Sequence, residues 1–224
     1  SEKNDTLSAL ANYKIGYLYY FIDIYTESLK YLNRASLVIN YSPQNYLQAK
    51  LYIHIGLVHS FLGSNEETKK CYRTAMEFYR KKKDTKRLAS VHNNLALIFI
   101  EEEKFDEARL YLDSCLSERI KLNDHYLMGQ AYNNIGTLYF KEEDYKKALE
   151  NYTRGYQERI TGKAPESGLI ESQINIGKAY RKSGDISNAV DWLDRALTAA
   201  EKEGNYELLR RVTVELKDIY FEKG

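Results

Sequence analysis

The sequence predicts an all-α protein, an α-solenoid of about five helical hairpins followed by a lone C-terminal helix. Three observations carry this. Residues 92–112, HNNLALIFIEEEKFDEARLYL, and residues 132–152, YNNIGTLYFKEEDYKKALENY, repeat one frame forty residues apart. Inside the frame, small and large apolar residues recur at separations of three and four, which line one face of a helix. Only two prolines, Pro43 and Pro165, interrupt 224 residues, and both stand between candidate helices.

The frame runs along the whole chain. Its small marker residue falls at Gly16, Gly56, Ala96, Gly136 and Gly177, with Lys217 in the same register, at gaps of 40, 40, 40, 41 and 40 residues. An aliphatic precedes each: Ile15, Ile55, Leu95, Ile135, Ile176 and Leu216. Three residues on stands an aromatic or His: Tyr19, His59, Phe99, Tyr139, Tyr180 and Tyr220. Twelve after the marker comes a small residue (Ser28, Thr68, Ala108, Ala148, Ala189), then a large apolar one four later (Leu32, Tyr72, Leu112, Tyr152, Leu193). Three further on the chain is small again at Ala35, Ala75, Cys115, Gly155 and Ala196. Each unit therefore reads as a first helix, A, and a second helix, B, joined by a short polar turn such as Gly63-Ser64-Asn65 or Gly184-Asp185. Small positions let the partner helix approach and large ones fill the space beside them. One hairpin cannot bury its apolar faces, and stacking solves this.

The expected organisation is one domain over residues 1–224, with repeats at about 9–48, 49–88, 89–128, 129–169 and 170–209 and a terminal helix at 206–222. The link TGKAPESG, residues 161–168, carries one extra residue and predicts a wider step. Pro43, in YSPQN, breaks the chain between units one and two. Gly224 falls where the next A–B turn would start, so the chain reads as a piece of a longer protein, with a capping terminal helix as the alternative.

The marker pattern resembles the tetratricopeptide repeat over residues 6 to 224. The forty-residue period is similar to the repeats of kinesin light chain, Pins-type adaptors, Rap-type receptors and the sensor regions of bacterial signalling proteins. The six residues beyond the usual period are expected to lengthen helix B and the link after it. The resemblance implies a right-handed superhelix with helix A on its concave side, and a peptide lying in that groove. Carried over position by position, the groove residues are Tyr13, Lys14, Tyr17 and Tyr20 in unit one. Unit two offers Lys50, Ile53, His54, Leu57 and Ser60, and unit three Ser90, Asn93, Asn94, Leu97 and Ile100. Unit four offers Gln130, Asn133, Asn134, Thr137 and Phe140, and unit five Glu171, Ile174, Asn175, Lys178 and Arg181. The amides suit a peptide backbone, donating and accepting at once; the consensus also uses some of them between hairpins. Tyr13, Tyr17, Ile53, Leu57, Asn94, Gln130 and Asn134 depart from the chaperone-adaptor clamp for a terminal carboxylate, so a chaperone tail is not the expected ligand.

Composition excludes other classes. Thirty-three basic against 32 acidic side chains give a net charge of +1, which offers no general attraction to nucleic acid or anionic membrane. There is no long apolar run and no signal-peptide pattern. Cys71 and Cys115 read as buried thiols. His54, His59, His92 and His125 lack metal-ligand spacing, and His59 holds the aromatic core position. No phosphate loop, zincin motif or nucleophile elbow is present. The runs Glu101-Glu102-Glu103 and Arg80-Lys81-Lys82-Lys83 sit at helix ends, where solvation and the helix dipole explain them.

The expected function is a non-catalytic, cofactor-free scaffold for a peptide or extended protein segment, with apolar anchors and an acidic end. It would be the sensory or adaptor region of a larger bacterial signalling or regulatory protein. The alternatives are an oligomerisation module forming homodimers and a peptide-responsive regulator of the Rap type. The expected location is cytoplasmic, or else an extracytoplasmic sensor region.

Overall fold

The computed structural model describes residues 2–39 and 46–222. Pro43 and Gly224 lie outside them, and so do the roles assigned to both. The described residues form eleven α-helices and no strand. The order is α1 (Glu2–Phe21), α2 (Tyr25–Ile39), α3 (Tyr46–Phe61), α4 (Asn65–Lys81), α5 (Thr85–Glu101), α6 (Phe105–Lys121), α7 (His125–Lys141), α8 (Tyr145–Thr161), α9 (Glu166–Lys182), α10 (Ile186–Glu203) and α11 (Tyr206–Glu222). This is an all-α solenoid of helical hairpins. By compactness it divides into a unit of residues 1–98 and one of residues 99–224.

The turns explain the period. Each described turn places one residue in the left-handed region: Asp23, Gly63, Lys83, Glu103, Asn123, Glu143, Lys163, Gly184 and Gly204. These recur every twenty or twenty-one residues wherever the turn is described. The hydrogen bonds are those of a Schellman motif: Glu143 N donates to Phe140 O and Asp144 N to Tyr139 O, and the other turns repeat this pair. Except before α9, where Ala164 intervenes between Lys163 and the N-cap Pro165, the residue after the left-handed one directly precedes the next helix. Asp84, Asp124, Asp144, Asp185 and Asn205 accept from a backbone N–H three residues on. Helices A and B have 17 residues each in the hairpins α5–α6 and α7–α8, and 17 and 18 in α9–α10. Helix B is no longer than helix A in the two central hairpins, α5–α6 and α7–α8, against the expectation that helix B and the link absorb the added residues. A single turn geometry serves both connections.

In the four hairpins whose marker is glycine, that glycine faces the large residue sixteen positions later. A Cβ built on Gly56 would lie 2.6 Å from the Tyr72 ring, on Gly136 2.5 Å from the Tyr152 ring, and on Gly177 2.6 Å from Leu193. Only a bare backbone permits that approach. In the first two hairpins a hydroxyl reinforces it: Ser28 Oγ donates to Gly16 O at 2.8 Å and Thr68 Oγ1 to Gly56 O at 3.3 Å. The marker aromatics Tyr19 and Phe99 stack on Tyr31 and Tyr111, twelve residues on, at 5.5 Å in each case. Cys71 and Cys115 are buried and form no disulfide.

Candidate functional site

The expected groove residues separate into two groups, one in each unit. In the unit of residues 1–98, three tyrosines of α1 gather around one histidine of α3. Ring centroids of Tyr13, Tyr17 and Tyr20 stand 5.4, 5.0 and 6.4 Å from His54, all edge-on. The cluster continues from Tyr20 to Tyr25 and Phe61, which stack on each other at 5.0 Å. Burial depresses the His54 imidazole below its ordinary pKa, while its Nδ1 sits 2.8 Å from Lys50 O and 3.4 Å from the Tyr13 hydroxyl. A neutral ring surrounded by phenols makes an apolar surface with a polar rim. Tyr17 and Phe21 leave part of it open to solvent.

Beside this cluster lies a recess of about 200 Å³, lined by Lys50, Ile53 and His54 of α3, Tyr79 of α4, and Arg87, Ser90, Val91 and Asn94 of α5. Ile53 and Asn94 were both expected on this surface. Tyr79 and Arg87 were not, because neither occupies a carried-over position. Asn93 and Leu97 are half-buried beside Asn94, as is Leu57 on α3. Ile100, expected with them, is 4% exposed and offers no surface.

In the unit of residues 99–224, Asn175 Nδ2 of α9 donates to Asn133 Oδ1 of α7 at 2.9 Å. The two amides form one rung. It leaves the Asn133 N–H donors on one edge and the Asn175 carbonyl oxygen on the other, the pair a peptide unit can satisfy. Gln130, Asn134 and Phe140 are half-buried on the same helix as Asn133. The Phe140 ring meets Tyr145 edge-on at 5.4 Å. Ile174 is a second correction: at 1% exposure it belongs to the core beneath α11, with Leu208, Val212 and Leu216.

The basic end expected at Lys178 and Arg181 is neutralised within the unit. Glu215 of α11 takes Lys178 at 3.2 Å and Arg181 at 3.0 Å, and Asp218 takes Arg181 at 3.4 Å. Both acids come from one helix packed across α9. A ligand's acidic end would have to displace them, so these two cations hold α11 in place instead of forming an open anion site. This is a third correction.

Two family profiles, each described as tetratricopeptide repeat, match this chain, one at residues 87–157 and the other at residues 49–82 and 170–203. The chain belongs to the tetratricopeptide repeat family. Among curated proteins, this tetratricopeptide repeat chain is 26% identical to Regulatory protein RapG of Bacillus subtilis over 137 residues, 61% of this chain and 36% of that protein. Among solved structures it is similar to aspartyl phosphate phosphatase F from Bacillus subtilis, with a TM-score of 0.87 at 16% identity, covering 96% of this chain and 56% of that one. It is also similar to the Rap conjugation gene regulator of the plasmid pLS20 in complex with the Phr* peptide, with a TM-score of 0.74 at 14% identity, covering 91% and 56%. The chain thus spans about a third of the curated relative and little over half of these structures. At such identities the structural likeness establishes the fold.

Among the described residues, no three His, Cys, Asp or Glu side chains gather as a metal site would require. No described helix is long and apolar enough to cross a membrane.

Proposed function

We propose that this chain is a peptide- or protein-binding scaffold whose ligand contacts lie on its A helices, and that it is the sensory or adaptor part of a larger bacterial regulatory protein. The observation that carries the reading is the Asn133–Asn175 rung. Two amides from successive A helices hold each other and still offer a donor edge and an acceptor edge, which is the hydrogen-bonding complement of an extended backbone. Each neutral bond contributes only ~0.5–1.5 kcal/mol net. Affinity therefore depends on burying apolar side chains, for which the Tyr13–Tyr17–Tyr20 cluster and Phe140 supply surfaces. A peptide occupies the pLS20 regulator, whose fold this chain shares, and that supports the same reading.

The phosphatase named for one neighbour is a chain of which this one spans 56%. No catalytic step is assigned to this chain on that likeness. A second reading, a peptide-responsive regulator, is favoured by the sequence relationship to RapG.

The test is peptide selection followed by mutation. Peptides selected from a displayed random library on the immobilised chain should bind the Asn133→Ala, Asn175→Ala double variant about tenfold or more weakly, as two lost hydrogen bonds require. Its melting curve should change little. Unchanged affinity in that variant would refute the assignment of the rung to ligand contact.

A further inference from the structure

We infer that the recess between α3, α4 and α5 receives an acidic side chain of the ligand. This rests on the peptide-binding reading and adds the chemistry of one ligand position.

Tyr79, Arg119 and Arg159 occupy equivalent positions near the end of helix B, forty residues apart. At the two later positions the space ahead is filled. Arg119 Nη1 donates to Leu127 O of α7, and Arg159 Nη1 donates to Gly168 O and to Ser172 Oγ of α9. Both guanidiniums thus reach the first turns of the next A helix. Tyr79 is shorter. Its side chain is 97% buried, since the residue is only 3% exposed, yet its hydroxyl has no hydrogen-bond partner among the described residues. The residue equivalent to Leu127 here is Arg87, whose side chain turns outward and sits over the Tyr46 ring at 5.1 Å. The volume a buried guanidinium takes in the later repeats remains as the recess.

Its rim is cationic. Lys50 is exposed and makes no ion pair among the described residues. Arg87 is paired to Asp84 at 2.5 Å, and that carboxylate counts against an anion. Two cations against one acid leave one net positive charge at the mouth. Burial keeps the His54 imidazole neutral, so it adds none. A carboxylate entering here would find Lys50 and Arg87 at the rim, the unpaired Tyr79 hydroxyl as an O–H donor, and Ile53 and Val91 as apolar walls for its methylene groups. Charge-assisted bonds of this kind are about twice as strong as neutral ones. A ligand's neutral polar side chain would gain less, and a basic one would be repelled.

A displayed random dodecapeptide library is selected on the wild-type chain and, separately, on Lys50→Gln and on Tyr79→Phe. Wild-type selection should enrich Asp or Glu at a fixed distance from an apolar anchor. Synthetic versions with Asn or Gln there should bind about tenfold or more weakly, the loss of a hydrogen bond to a charged group. Lys50→Gln should erase the acid preference. Tyr79→Phe should weaken it while leaving the melting temperature unchanged, because the hydroxyl has no bond to lose. Enriched peptides without an acidic position, or a preference untouched by both substitutions, would overturn the inference and leave peptide binding standing. No enrichment on any form would overturn both.

Discussion

Glu215 lies between Lys178 and Arg181, 3.2 Å from one ammonium and 3.0 Å from one guanidinium nitrogen, and it is itself buried. One carboxylate of α11 therefore closes off the basic end of α9. Removing it takes away the carboxylate that Lys178 and Arg181 share, while Asp218 still faces Arg181 at 3.4 Å. Glu215→Gln should destabilise the protein by about 1–3 kcal/mol in urea unfolding, since it strands buried charge. The same variant should gain affinity for acidic peptides at α9, read by anisotropy at low salt. A stability change within error would mean the pairs contribute nothing.

The marker glycines set a steric prediction. Gly136→Ala drives a methyl group into the Tyr152 ring at 2.5 Å, and Gly56→Ala does the same at Tyr72. Each should cost about 1–3 kcal/mol by overpacking. Ala96 shows that alanine is acceptable at this register position in one hairpin, so the cost depends on how closely the helices of each hairpin approach. Thermal melts of the two variants beside Ala96→Gly measure it.

Turn geometry gives a prediction of opposite sign. Glu143 holds φ at 62°, a conformation that strains any side chain with a Cβ. Glu143→Gly should stabilise the protein by roughly 0.5–1 kcal/mol. The neighbouring Glu142→Gly should destabilise it, because Glu142 accepts two bonds from Arg109 at 2.7 and 2.9 Å. Chemical denaturation of the pair separates local backbone strain from general loop tolerance.

The N-caps fix the acid limb of stability. A bond from the Lys147 ammonium, joined by the Lys147 backbone N–H, holds the Asp144 carboxyl below its ordinary pKa. The Asn188 side chain and backbone do the same for Asp185. Their folded values lie below the unfolded ones, so the stabilisation is complete above the unfolded value of about 4. It is lost as pH falls through the folded value. The melting temperature should therefore be insensitive to these groups at neutral pH and decline below about pH 4. Asp144→Asn, which still caps but does not titrate there, should flatten that decline.

The thiols should be inert. Burial pushes Cys71 up to about 11, and Cys115 is fully enclosed. Neither should react with a disulfide reagent in the native protein at pH 8, and both should react at once in guanidinium. Fast native labelling would show that α4 or α6, the second and third B helices, opens readily.

Much of the fold was legible because its determinants are local. Gly136 and Tyr152 are sixteen residues apart, and the turn between them repeats in every unit, so one hairpin predicts the rest. What escaped the sequence depends on helices two elements apart. Lys178 and Arg181 read as a free basic end because their partners, Glu215 and Asp218, follow no short-range spacing. Ile174 occupies a groove position by register but is covered by α11. Tyr79 had a faint signal, an aromatic where two later repeats carry arginine, and it lay outside the positions brought over from the family. The equal lengths of α7 and α8 were also readable in principle: the polar clusters at Lys83-Asp84, Asn123-Asp124 and Glu143-Asp144 mark turns of one kind before helix A and before helix B.

The central claim, that the A-helix surface is where a ligand binds, is tested most directly by a crystal structure of the chain with a library-selected peptide. The account predicts an extended backbone bonded to the outward edges of Asn133 and Asn175, or an acidic side chain seated beside Lys50 and Tyr79. A peptide bound instead along the B helices, at Leu149, Thr153 and Gln157 for instance, with those amides and that recess empty, would contradict it.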